Sequence, residues 1–240
     1  MPRFYVDLPL NTGSHLDLPE NAARHVQVLR LQPGDPITLF NGQGGEYAAT
    51  VRQMGKRQVA VDIGAHDPFE RESPLQLTIV QAISAADRMD YTMQKSAELG
   101  VSAIQPVISE YCQQRYSGER AEKRLEHWRG VAISACEQCG RTRVPQILPI
   151  VTYAEYLASQ PAAGLKLLLS PTGAIRHEQL PAQAQQATVL IGPEGGFSER
   201  EEALAIAAGF TPLILGPRIF RTETVAPVIA ALLQSRYGDW

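Results

Sequence analysis

Two glycine-rich segments in the last quarter of the chain hold the residues best suited to chemistry: Ile191-Gly192-Pro193-Glu194-Gly195-Gly196-Phe197 and Leu215-Gly216-Pro217-Arg218-Ile219-Phe220-Arg221-Thr222-Glu223-Thr224. Each follows a short apolar run and precedes a helical stretch. That is the pattern of a strand-to-helix turn whose bare backbone lets a ligand approach closely. Two such turns in one domain point to a shared pocket. Neither has the Gly-Lys-Ser/Thr of a Walker loop or the G-x-G-x-x-G spacing of a dinucleotide fold. The first offers a carboxylate, Glu194, among glycines, followed by Ser198 and Glu201 at capping-box spacing. A tight connection that binds nothing is an equal reading of that segment taken alone.

The second segment says more. Proline is tolerated in the first turn of a helix, so Pro227 predicts a start not much before Thr224, with Thr224 as N-cap and Val225 as the first helical residue. Arg218 to Glu223 is then loop, with two arginines and a carboxylate beside exposed backbone donors. Such a loop suits an anionic or zwitterionic ligand. The helix that follows, Val225 to Leu233, is apolar nearly all round and needs burial on both sides, in a dimer interface or in the core.

These turns need a scaffold, and the flanking residues supply one. From Leu75 onward, apolar strand-length runs (77–83, 103–108, 146–151, 165–169, 189–191 and 213–215) alternate with helical stretches. The longest helix is expected from Glu119 to Cys139, with Leu125, Trp128, Ala132, Ala135 and Cys139 at helical period. Near-continuous apolar strands alternating with helices indicate an α/β domain built on a parallel sheet. Residues 1–70 read instead as a small β-barrel with one helix. Strands are expected at 4–6, 37–40, 47–51 and 59–63, turns at Asn41 to Gly45 and Met54 to Arg57, and a helix from Pro19 to Leu31. The polar, proline-bearing stretch His66 to Pro74 places the domain boundary between residues 70 and 75.

Composition narrows the class. The chain has 240 residues, 44% of them hydrophobic, with ample core for one or two soluble domains and no apolar run near the roughly 18 residues of a membrane span. An N-terminus without an apolar leader and only three cysteines lead to the expectation of a cytoplasmic protein without membrane association. The net charge of −3 indicates no nucleic-acid field over the whole surface, but residues 113–143 carry seven Lys or Arg against four Glu. That cluster reads as a solvated helix face or as phosphate contacts. Cys136 and Cys139 form a C-x-x-C at the C-terminal end of a helix, where the dipole disfavours thiolate. They therefore read as packing residues, and no metal is expected.

With both turns placed, the chain resembles the RsmE family of 16S ribosomal RNA uridine-N3 methyltransferases, within the SPOUT superfamily. The likeness rests on the two glycine segments, on Ala135-Cys136-Glu137-Gln138-Cys139-Gly140-Arg141-Thr142-Arg143-Val144-Pro145, on Gln94-Lys95-Ser96-Ala97-Glu98-Leu99-Gly100-Val101, and on Arg3-Phe4-Tyr5 and His25-Val26-Gln27-Val28-Leu29-Arg30. The resemblance implies a PUA-like RNA-binding barrel over 1–70 and a trefoil-knotted SPOUT methyltransferase domain over 75–240, acting as a homodimer on the small ribosomal subunit. It further implies that S-adenosylmethionine binds against Leu169, Pro171, Ile191, Gly192, Pro193, Gly195, Gly196, Leu215, Gly216, Ile219 and Arg221. RNA contacts are expected at Arg3, Tyr5, Arg24 and Arg30 and, on an exposed loop, at Arg141 and Arg143. His25 is as well explained as a satisfied helix histidine.

Methylating uracil N3 requires removal of the ring proton, because the imide lone pair is delocalised. Glu223, the one carboxylate of the second loop, is the expected base, with Arg218 and Arg221 to stabilise the uracilate oxygens. Pairing with Arg221 is the alternative role for Glu223. A non-catalytic ribosome-binding factor and a SPOUT enzyme acting on another RNA are the alternative readings.

Overall fold

The computed structural model describes residues 1–56, 58–159, 164–172 and 175–240. Arg57, at the end of one expected turn, lies outside them. The chain divides into two compact units: Met1–Glu72 with Cys136–Val144, and Ser73–Ala135 with Pro145–Trp240. Cys136–Val144 thus groups with the N-terminal unit despite its place in the sequence.

The N-terminal unit contains β1 (Arg3–Tyr5), β2 (His15–Asp17), α1 (Glu20–Val28), β3 (Pro36–Phe40), β4 (Glu46–Met54) and β5 (Val59–Asp67). The strands pair in the order β1-β3-β4-β5-β2, with β1 and β3 parallel and the rest antiparallel. Alternation places Ile37, Leu39, Val51, Val59 and Val61 in a core with Phe4 and Val26. Strand β2 has no counterpart among the expected elements: three residues, two of them exposed, carry too little alternation to be seen.

The larger unit runs β6 (Gln76–Ala82), α2 (Ala86–Glu98), β7 (Ala103–Ile108), α3 (Gly118–Cys139), β8 (Gln146–Ile147), β9 (Val151–Thr152), α4 (Tyr153–Ala158), β10 (Leu165–Leu169), β11 (Ile175–Arg176), β12 (Gln186–Ile191), α5 (Glu199–Ala207), β13 (Thr211–Ile214) and α6 (Thr222–Tyr237), with α3 ending in the residues assigned to the N-terminal unit. Its strands form one sheet in the order β11-β13-β10-β12-β6-β7-β8, with β9 also on β7, and every pairing is parallel. The apolar runs fill the middle of this sheet: Leu77, Ile79, Val80, Leu167, Leu168, Val189, Leu190 and Leu213 are buried. Each such side chain contributes about 1.5–3 kcal/mol by leaving water. On α3, the expected period is visible in the burial of Trp128, Ala132 and Ala135.

Two insertions set the topology. Strand β12 enters between β6 and β10, and β13 enters between β10 and β11, so late segments occupy interior positions in the sheet. The carboxyl ends of β10, β12 and β13 therefore lie close together, where ligands of open parallel sheets bind.

One boundary differs from expectation. Helix α6 begins at Thr222 rather than after Thr224, with Arg221 as N-cap and Pro227 inside the helix. The amide protons of Thr224 and Val225 both reach the Arg221 carbonyl, at 2.9 and 3.2 Å, so the first turn forms without Pro227. The proline removes a single ladder bond, the one to the Glu223 carbonyl, close to the open end of the helix where its ring is accommodated. Glu223 thus belongs to the first turn of α6 and not to the loop.

Candidate active site

Three connections at the carboxyl ends of β10, β12 and β13 enclose a cavity of about 520 Å³ within the larger unit. Leu169 and Pro171 line it from the first connection; Ile191, Gly192, Pro193, Gly195 and Gly196 from the second; Leu215, Gly216 and Ile219 from the third. Arg218 and Arg221 line it from exposed positions.

The second connection closes on itself. The Gly196 amide donates to the Pro193 carbonyl at 3.0 Å, and a Cβ on Gly192 would lie 3.0 Å from the Gly196 backbone, so the turn has no room for a side chain there. Ser198 then caps α5, accepting from the Glu201 amide while the Glu201 side chain reaches back to the Ser198 amide. In the third connection Gly216 holds a φ of +117°, outside the range ordinary residues adopt. At both Gly196 and Gly216, a Cβ would meet no protein atom within 4 Å, so these stretches of backbone face open space.

Residues that the sequence did not mark bind the connections together. The Thr222 hydroxyl donates to the Gly192 carbonyl at 2.7 Å, and the amide of Gln81, fully buried at the end of β6, donates to Thr222 Oγ1 at 2.9 Å. Arg88, in the first turn of α2, also lines the cavity and lies between two carboxylates: its Nη1 is 2.8 Å from Glu194 Oε1, and its Nε is 3.7 Å from Glu223 Oε2. The amide of Ala85 donates to the same Glu194 oxygen at 2.9 Å, so Glu194 organises this corner of the site. The β6–α2 connection is thus a further strand-to-helix turn at the site, but it lacks glycine and so resembled any surface turn. Gln81, the polar residue within the apolar run 79–83, is the signal the sequence carries there. Glu223 itself lies just outside the cavity lining, and its Oε2 is buried without a hydrogen-bond partner.

A family profile described as an RNA methyltransferase domain matches residues 71–234, and one described as an RNA methyltransferase PUA domain matches residues 18–64. The ribosomal RNA small subunit methyltransferase E of Buchnera aphidicola subsp. Schizaphis graminum is 32% identical over 240 residues, covering 100% of this chain and 98% of that protein. The chain belongs to the ribosomal RNA small subunit methyltransferase E (RsmE) family. Among solved structures, the RsmE of Neisseria gonorrhoeae bound to S-adenosyl methionine superposes with a TM-score of 0.94 at 44% identity, covering 100% of this chain and 99% of that one. A Legionella pneumophila methyltransferase in complex with bound SAM gives 0.96 at 40% identity, over 99% and 98% of the two chains. The larger unit accordingly has the SPOUT methyltransferase fold, and the N-terminal unit is PUA-like.

In the N-terminal unit, the six arginine and tyrosine positions expected to touch RNA separate into two groups. Arg3 and Arg141 are internal. Arg3 pairs with Glu46, donates to the carbonyls of Gly140 and Arg141 at 3.1 and 3.0 Å, and lies over the Phe40 ring at 5.0 Å. Arg141 is 4% exposed and clamps Glu72 through Nη2 at 2.6 Å and Nε at 3.1 Å. Burial alone would lower the guanidinium pKa of Arg141, but hydrogen bonding and charge from Glu72 outweigh it and leave it above its ordinary value. The exposed-loop expectation for Arg141 is therefore corrected: the side chain is used internally. Tyr5 is half-buried, its amide donating to Glu137 Oε1 at 2.9 Å and its ring edge-on to Phe40.

Arg24, Arg30 and Arg143 are exposed, Arg143 with a 3.4 Å contact to Glu70. Arg30 follows the end of α1 in the left-handed region at φ 57°. His25 packs edge-on against Phe4, with Nδ1 3.4 Å from Glu137 Oε2. Cys136 is buried, and its thiol pKa is pushed up by a hydrogen bond with Cys139 and by burial.

Proposed function

We propose that this protein transfers a methyl group from S-adenosylmethionine to N3 of a uridine in 16S ribosomal RNA, in the cytoplasm. The observation that carries the proposal is the cavity formed by three adjacent strand ends. Its volume of about 520 Å³ suits a cofactor-sized ligand, and side-chain-free backbone faces open space at Gly196 and Gly216. The bound relatives described above support the choice of ligand. Leu169, Pro171, Ile191, Gly192, Pro193, Gly195, Gly196, Leu215, Gly216, Ile219 and Arg221 would hold it, through apolar contact and backbone groups. When bound, S-adenosylmethionine supplies an electrophilic methyl group on its sulfonium.

The chain's own residues supply the rest. Glu223 takes the N3 proton, converting a poor nucleophile into a good one. Arg218 and Arg221 have no ion-pair partner among the described residues and remain available to stabilise charge on the uracil oxygens. Holding the reactants in line supplies much of the rate.

A homodimer completes the reading. Val225, Val228, Ala231 and Leu232 on α6 retain partial exposure, and Val225 also lines the cavity, so pairing through this face would place the interface beside the site. Sedimentation equilibrium is expected to give twice the chain mass.

Calorimetry with S-adenosylmethionine is expected to show one site per chain, and its absence would return the protein to the class of non-catalytic ribosome-binding factors. Mass spectrometry of rRNA from a strain lacking this protein is expected to show loss of one N3-methyluridine from 16S rRNA. An unchanged level would direct the enzyme to another RNA.

A further inference from the structure

We infer that Arg88 is a positioning residue for the reaction: it anchors one oxygen of Glu223 and so leaves the other to accept the ring proton. This rests on Glu223 being the base. The guanidinium is fixed first by Glu194, whose Oε1 lies 2.8 Å from Arg88 Nη1 and is itself held by the Ala85 amide at 2.9 Å. An ion pair of that length in a pocket wall gives Arg88 a defined place.

From that place it faces Glu223 in a different way. Glu223 Oε2 is enclosed, has no hydrogen-bond partner, and lies 3.7 Å from Arg88 Nε, beyond hydrogen-bond reach. The contact is therefore one of charge, and it holds Oε2 inward without using up the hydrogen-bonding capacity of the carboxylate. The second oxygen, Oε1, is left as the acceptor for an N–H arriving in the cavity that Arg88 also lines. The planar guanidinium presents separate nitrogens to the two carboxylates, Nη1 to Glu194 and Nε to Glu223, whereas lysine would bring one ammonium nitrogen to both without that fixed spacing.

The arrangement also links the two glycine segments. Glu194 belongs to the β12–α5 connection and Glu223 to the start of α6, and Arg88 reaches both from α2. The base is thereby held in register with the turn proposed to carry the cofactor, and a displacement of about 1 Å in such a group lowers rate by on the order of a hundredfold.

The test uses the full chain, S-adenosylmethionine and small ribosomal subunits from a strain lacking the protein, with Arg88→Gln, Arg88→Lys, Glu223→Gln and the Arg88→Gln/Glu223→Gln pair. Arg88→Gln is expected to lower kcat by roughly 10- to 100-fold while the calorimetric Kd for S-adenosylmethionine stays within about threefold. Arg88→Lys is expected to recover part of the loss by restoring charge near one carboxylate. The double variant is expected to be no slower than Glu223→Gln, because both changes disable one unit. Full turnover in Arg88→Gln, a loss confined to cofactor affinity, or multiplying losses in the double variant would overturn the inference. Normal turnover in Glu223→Gln would instead remove the base assignment, and with it the role of Arg88. A slow Glu223→Gln beside a normal Arg88→Gln would remove Arg88 alone.

Discussion

Arginine serves opposite purposes in the two units. In the N-terminal unit, Arg3 and Arg141 are enclosed and matched to Glu46 and Glu72, with backbone carbonyls taking further donors of Arg3. In the larger unit, Arg218 and Arg221 line the cavity from exposed positions and no carboxylate among the described residues pairs with them. A guanidinium placed against a carboxylate contributes to folding, whereas one facing open space at a pocket retains its donors for a ligand. The difference lies in the neighbours, since the residue type is the same.

The largest effect should come from the unpaired group. Replacing Arg221 or Arg218 with Ala is expected to lower turnover by roughly 100-fold or more, as for removal of one charge-stabilising donor, with thermal stability unchanged. Methylation kinetics on small subunits measure this, and a wild-type rate would place both groups outside the reaction. Arg141→Met tests the other side of the contrast. It leaves Glu72 without its partner and is expected to cost about 3 kcal/mol, seen as faster amide exchange in β1 and in residues 136–144, with cofactor affinity unaltered. A variant as stable as the parent would mean the pair contributes nothing net.

Smaller effects refine the comparison. Gly216→Ala, at a φ of +117°, is expected to weaken S-adenosylmethionine binding by about 1–3 kcal/mol in calorimetry, because the chain must strain or move at the cavity wall. Arg24→Ala, Arg30→Ala and Arg143→Ala remove exposed cations. If these meet phosphates, each is expected to reduce the salt slope of RNA affinity by about one, leaving cofactor binding unchanged; an unaltered slope would exclude that face.

The smallest effect concerns pH. Burial chiefly, against the opposing Tyr5 amide, holds the Glu137 carboxyl above its ordinary value. Its folded state therefore binds a proton that the unfolded chain has already lost. The associated stability is full below the ordinary carboxylate range and declines as pH rises through the folded value. Glu137→Gln, which stays neutral, is expected to flatten that decline, read by amide exchange at Tyr5 across that pH range.

The central sheet was legible because continuous apolar runs have few other uses. The parallel strands at 103–108 and 165–169 match their expected bounds, and the others differ by a few residues or, at 146–151, by division into β8 and β9. Most of the pocket was legible too, since glycine turns after strands are local features. What escaped depends on distant partners. Arg141 is buried by Glu72, 69 residues away, and no local pattern announces that. Gln81 and Arg88 gain their places through Thr222, Glu194 and Glu223, which reach them only after β12 has entered the sheet beside β6. The start of α6 escapes a local reading because Pro227 sits near the helix start, where only the bond to the Glu223 carbonyl is lost.

The position of β12 also bears on how the protein is made. Its neighbour β6 is completed about a hundred residues earlier during synthesis, and β10 also precedes it, so the middle of the sheet is filled by a late arrival. Such long-range pairing slows folding, and the sheet cannot be completed until β12 and then β13 have emerged. Capacity to bind a cofactor should therefore appear late and abruptly in translation, when α6 leaves the ribosome and Thr222 can close onto Gly192.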